Sequence, residues 1–93
     1  SLKRVKYRAA AAVAGKHESM LSDYGIRVNR SSEDTILVQN SNIHEGRGPQ
    51  VYLNILTATT WEISNIRSDD ATQSEDIKSR LQAFAKASHI RIT

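Results

Sequence analysis

The sequence predicts an α+β domain: a four-stranded antiparallel meander sheet with one helix at each end of the chain, packed on one face. Three observations support this. Apolar residues recur at helical spacing near both ends, and four segments between them have the composition and patterning of strands. The links between these segments are short, which favours antiparallel neighbours. The 93 residues are enough for a single domain, spanning 1–93, with one hydrophobic core.

The first element is a helix predicted over residues 3–22. Its apolar stripe runs from Leu2 to Tyr24 in steps of three and four, apart from a gap at Lys16 and His17. Several alanines add high helix propensity. Gly25 follows where a left-handed C-terminal cap is expected.

Four strands are predicted next. The first and the last two alternate apolar and polar residues, whereas the second is apolar on both sides and should be a central strand. An irregular loop at residues 41–49, with two glycines and the only proline, separates the second strand from the third. In chain order the strands are predicted at residues 26–29, 35–39, 51–56 and 61–65.

A second helix is predicted over residues 73–88, with apolar residues again at helical spacing. Thr72 and Glu75 have the spacing of a capping box at its start. The final residues, 89–93, alternate apolar and polar side chains and could form a short edge strand or a frayed tail.

No catalytic signature is present. The chain has no cysteine, and its two His-Glu neighbours, at His17 and His44, lack the second histidine that a helical zinc site needs. The acidic residues between Asp69 and Asp76 cluster where a helix start explains them. We therefore expect a non-enzymatic protein with no catalytic residue, no metal site and no cofactor.

Positive charge is concentrated at the start of the chain. The first thirty residues carry a net charge of +5 and the remainder −2. Such asymmetry favours a partner protein or a nucleic acid. The residues predicted to make these contacts are four in the first helix and one in the glycine-containing loop: Lys3, Arg4, Lys6, Arg8 and Arg47.

Several short motifs follow one another in the middle of the chain. They are Asp23-Tyr24-Gly25-Ile26-Arg27-Val28, Thr35-Ile36-Leu37-Val38, Ser41-Asn42-Ile43, Val51-Tyr52-Leu53-Asn54-Ile55 and Trp61-Glu62-Ile63. From about residue 20 to residue 66, this order resembles the RWD-type globular heads of kinetochore linker subunits. The resemblance implies a non-enzymatic head that docks onto a partner chain and receptor peptides.

The sequence leaves two main functions open, besides a third class, a hydrolase or nuclease, for which no catalytic signature is present. The first is a protein–protein interaction module of the RWD-like kind, working as a homodimer or heterodimer. The alternative is a small basic nucleic-acid-binding or regulatory protein of viral or plasmid type, although Tyr7 is the only aromatic residue among the N-terminal basic residues. No stretch approaches the roughly 20 apolar residues that span a bilayer. We therefore expect an intracellular protein, cytoplasmic or nuclear, without a membrane partner.

Overall fold

The computed structural model describes residues 10–44 and 47–93, and it confirms the predicted α+β class. The part of the predicted first helix that precedes Ala10 lies outside the described residues. The elements in chain order are α1 (Ala10–Asp23), β1 (Ile26–Ser31), β2 (Thr35–Asn40), β3 (Gln50–Thr57), β4 (Thr60–Arg67), α2 (Ala71–Ser88) and β5 (Arg91–Ile92).

The strands form one sheet in the order β1-β2-β3-β4-β5. The first four are antiparallel, as predicted, whereas β5 runs parallel to β4 and makes the sheet mixed. The cause is the connection, because α2 carries the chain back to the end of the sheet at which β4 began. Of the two alternatives for residues 89–93, the edge strand is the one that forms. The Arg91 amide donates to the Thr59 carbonyl at 2.8 Å, and the Ile63 amide donates to the Thr93 carbonyl at 2.9 Å.

Both helices pack on the same face of the sheet, as predicted. The core is a single cluster to which both helices contribute fully buried side chains, together with alternate residues of the strands. Its fully buried large members are Leu21, Ile26, Ile36, Val38, Val51, Leu53, Trp61, Ile77, Leu81 and Phe84.

The start of α2 differs from the prediction. The N-cap is Asp70, whose carboxylate accepts hydrogen bonds from the backbone N–H groups of Thr72 at 2.9 Å and Gln73 at 3.1 Å. The predicted capping box of Thr72 and Glu75 is therefore wrong. Asp70 lies two residues earlier and already satisfies the first free N–H groups, and Glu75 instead pairs with Lys78 at 2.8 Å.

Gly25 ends the turn after α1 with a φ of +75°, which confirms the left-handed conformation predicted there. Arg80 reaches this turn from α2, and its Nη1 donates to the Tyr24 carbonyl at 3.1 Å. A Cβ atom at Gly25 would lie 2.5 Å from that same nitrogen. The positive φ favours glycine here, and any side chain would also displace the tip of Arg80.

Candidate interaction surface on the uncovered sheet face

The face of the sheet opposite the helices carries a surface that no described element covers as a layer; we call it the uncovered face. Directly paired residues of neighbouring strands point to the same side of a sheet. The pairing therefore arranges the uncovered face in three rows across β1 to β4. The rows are Arg27-Gln39-Gln50-Arg67, Arg30-Leu37-Tyr52-Asn65 and Thr35-Asn54-Glu62.

The middle row gives the face its apolar and aromatic centre. Leu37 is only 7% exposed, yet it does not belong to the main core cluster. In the row it stands between Arg30 and the half-buried Tyr52. Leu56 lies further along β3, on the same side of the strand as Tyr52 by alternation, and is 48% exposed. The middle row thus combines Tyr52 and Leu37 beside Arg30, and Leu56 lies beyond the third row.

The third row is joined by side-chain hydrogen bonds from one strand to the next. The Thr35 hydroxyl donates to Oδ1 of Asn54 at 3.1 Å, and Nδ2 of Asn54 donates to Oε1 of Glu62 at 3.2 Å. These bonds hold the polar side chains in fixed positions before any partner arrives.

A bulge in β1 adds polar groups to the first row. The register shifts between Val28 and Arg30, so Asn29 is an extra residue without a partner in β2. Asn29 accepts a hydrogen bond from Nε of Arg27 at 2.9 Å and donates to Oε1 of Gln39. The bulge thus brings the Asn29 amide beside Arg27 and Gln39 on the uncovered face.

Gln39 and Arg27 fix the loop between β2 and β3 against this face. Gln39 is fully buried, and its Nε2 donates to the carbonyls of His44 at 3.3 Å and Arg47 at 2.6 Å. Nη2 of Arg27 donates to Oε1 of Gln39 at 2.9 Å and to the Ile43 carbonyl at 2.8 Å. We call the side chains of Arg27, Asn29 and Gln39 with these loop carbonyls the Gln39 network.

The first row ends in an open groove of about 620 Å³, which we call the arginine groove. Its lining residues come from the β2–β3 loop, the start of β3 and the end of β4: Arg47, Gly48, Gln50, Arg67, Ser68 and Asp69. Both arginines are exposed, and within residues 10–44 and 47–93 neither guanidinium pairs with a carboxylate. The groove therefore carries an excess of positive charge.

Of the predicted contact residues, the structure places Arg47 in this groove. The other four, Lys3, Arg4, Lys6 and Arg8, lie outside the described residues. Sequence reasoning missed Arg67, which it treated as the start of a polar connection. Strand alternation gave no signal for Arg67, because Glu62, Asn65 and Arg67 share a face only through the bulge in the pairing of β3 with β4.

Among the described residues, the two titratable groups with shifted pKa values, His17 and Asp76, lie away from the uncovered face. Burial against Trp61 and Phe84, whose ring centroids are 5.9 and 5.8 Å from that of His17, lowers the pKa of His17, and Lys16 lowers it further. The hydrogen bond from Arg80 lowers the pKa of the exposed Asp76 carboxyl. Burial in the core and a contact within α2 are thus the main causes of the two shifts. Among the described residues no group of three or more His, Cys, Asp or Glu side chains could hold a metal ion.

The fold and this surface define a small α+β domain with helices on one side of a mixed sheet and a polar-aromatic face on the other. Comparison with protein-family models, with curated proteins and with solved structures finds no match to this chain. None of the described helices is long and apolar enough to cross a membrane.

Proposed function

We propose that this domain is a non-enzymatic protein–protein interaction module that docks on a partner chain through the uncovered face. This is the role implied by its resemblance to RWD-type kinetochore heads. The observation that carries the proposal is the middle row of the uncovered face, in which Tyr52 and Leu37 lie beside Arg30.

The residue types on this face, and the hydrogen bonds between their side chains, favour binding of a partner protein. Tyrosine and arginine are enriched where proteins bind one another, and binding energy concentrates at a few such residues near the centre of an interface. The hydrogen bonds of the third row and the Gln39 network fix the surrounding side chains in advance. Fewer side chains then lose freedom on binding, which lowers the entropic cost of association.

The homodimer form of the proposal predicts that the full chain self-associates through Tyr52. In size-exclusion chromatography with light scattering at high protein concentration, we expect the mass of two chains. Tyr52→Arg should shift the mass to that of one chain, because it places a charge at the centre of the face. Ala83→Arg introduces the same side chain at an exposed position of α2 and should leave the dimer intact. A wild-type chain that stays monomeric at every concentration would count strongly against the proposal.

A second function, binding of nucleic acid, is favoured by a different observation. Four arginines from three parts of the chain lie on the uncovered face or in its groove: Arg27, Arg30, Arg47 and Arg67. Phosphate contacts of this kind dominate the affinity of proteins for nucleic acids. Tyr52 is a base-stacking group on the same face.

Salt dependence tests this second function. If four phosphates are neutralised, fluorescence anisotropy with a labelled duplex should give a log–log slope of about −3 to −4. Arg47→Gln with Arg67→Gln should reduce the slope by roughly two, whereas Lys86→Gln, on the exposed surface of α2, should not change it. Absence of binding at about 50 mM salt, where such contacts are strong, would remove this function.

A further inference from the structure

Ser68 occupies an exposed position directly after β4, on the wall of the arginine groove. Its hydroxyl oxygen accepts from the Asp70 amide at 3.1 Å and donates to the Asp70 carbonyl at 3.0 Å. Both bonds are exposed and local, so an enzyme can reach the hydroxyl without opening the core. Segments of this kind between two elements are common sites of function.

Two arginines and two aspartates lie near Ser68. Arg47 and Arg67 line the groove, and neither pairs with a carboxylate within the described ranges. Asp69 lines the groove as well, and Asp70 caps α2 next to it. A phosphate carries a charge of about −1.5 to −2 at neutral pH and accepts charge-assisted hydrogen bonds from guanidinium groups.

We propose that Ser68 is a phosphorylation site whose phosphate binds in the arginine groove, between Arg47 and Arg67. The modifying enzyme belongs to the protein kinases that prefer acidic residues after the serine, because Asp69 and Asp70 follow Ser68. In the reaction the Ser68 oxygen forms a bond to the γ-phosphorus of ATP. The bond from that phosphorus to the β,γ-bridging oxygen breaks, ADP leaves with the electron pair, and the hydroxyl proton passes to the base of the kinase.

The phosphate would change the charge of the arginine groove, at the end of the uncovered face where the first row lies. The lining carries Arg47 and Arg67 against Asp69, so a phosphate of about −1.5 to −2 makes the groove negative and should weaken binding of an acidic partner or a nucleic acid there. This consequence rests on the proposed function. The binding of the phosphate between the two arginines is independent of the proposed function.

The first test asks whether the phosphate binds to the arginines. Phosphoserine is inserted genetically at position 68 of the full chain, and a ³¹P NMR titration measures its second pKa, which is about 6 for a free phosphoserine. Two neighbouring arginines should lower that pKa by at least about half a unit relative to the same chain in urea. Arg47→Gln with Arg67→Gln should abolish the difference. An unshifted pKa in the folded chain would overturn the proposed binding site.

The second test asks whether Ser68 is the acceptor. The full chain is incubated with ATP and an acid-directed protein kinase, and the product is mapped by mass spectrometry. We expect a phosphate on Ser68 that is missing from the same peptide of the Ser68→Ala variant. Modification at Thr72 or Ser74 alone would contradict the proposal. Light scattering of the same samples reports on dimer formation separately, so a failure of the docking proposal is recognised independently.

Discussion

Gln39→Leu is expected to lower the free energy of unfolding by about 2–3 kcal/mol, because it leaves several buried polar groups without partners. The fully buried Gln39 amide serves four groups: it accepts from Arg27 and Asn29 and donates to the carbonyls of His44 and Arg47. Leucine has a similar size but can replace none of these bonds. Urea unfolding followed by circular dichroism measures the loss.

Gln50→Leu is the matched control for this substitution. Gln50 is the direct neighbour of Gln39 on β3, it is half-buried, and its side chain makes no hydrogen bond among the described residues. We expect a change of less than about 0.5 kcal/mol, as for surface substitutions in general. Amide hydrogen exchange should also quicken in the β2–β3 loop for Gln39→Leu alone. Equal losses in the two variants would show that the Gln39 network does not hold the loop.

The strand that carries Gln39 was predictable from the sequence, but the Gln39 network was not. Apolar residues on both sides of the second strand predicted a central strand, and β2 does lie between β1 and β3. The role of Gln39 could not be predicted, because it depends on Arg27 and on loop carbonyls that only the register of β1 brings near. The bulge at Asn29 sets that register, and neither its position nor its effect is visible in the alternation of residues.

The candidate surface was predictable only in part, for a similar reason. Arg47 drew notice through its glycine-containing loop. Arg27 and Arg30 counted only toward the basic start of the chain, and Arg67 lay at the edge of a polar connection. Strand pairing creates their common face. Arg27 pairs with Gln39, Gln39 with Gln50 and Gln50 with Arg67, so Arg27 and Arg67 lie in one row although they are far apart in the chain. The distribution of charge along the sequence does not show which arginines share a face of the sheet.

The parallel β5 illustrates a different limit. Its two residues form too short a segment for periodicity to identify, and its direction follows from the path of α2 rather than from its own residues. The helices and the four main strands were predictable because each is long enough to show its period. The exact ends of the helices were harder to predict. The start of α2 depends on one capping residue, Asp70, and several neighbouring polar residues were alternative candidates for that cap.

Trp61→Ala is the substitution with the largest expected effect on stability, a loss of about 3–5 kcal/mol. Trp61 is fully buried, and its ring centroid lies 5.5 Å from that of Phe84 and 5.9 Å from that of His17. A domain of this size is stable by only about 5–14 kcal/mol, so this loss brings the variant near unfolding. The Trp61 indole N–H donates to no described atom, so the loss comes from packing rather than from a hydrogen bond. Urea unfolding of both proteins measures it.

The half-buried Ile63, two residues along β4, supplies the control. Ile63→Ala should cost clearly less stability than Trp61→Ala, because less apolar surface leaves the core.

A second readout of Trp61→Ala is specific to the contact with His17, whose burial holds its pKa below the ordinary 6.5. The folded state therefore favours neutral His17, and the stability that this provides above pH 6.5 declines as the pH falls below that value. Truncating Trp61 exposes His17 to water, so its pKa, followed by NMR, should rise toward 6.5 and this acid-dependent loss of stability should shrink. An unchanged His17 pKa in folded Trp61→Ala would show that Trp61 does not shield the imidazole.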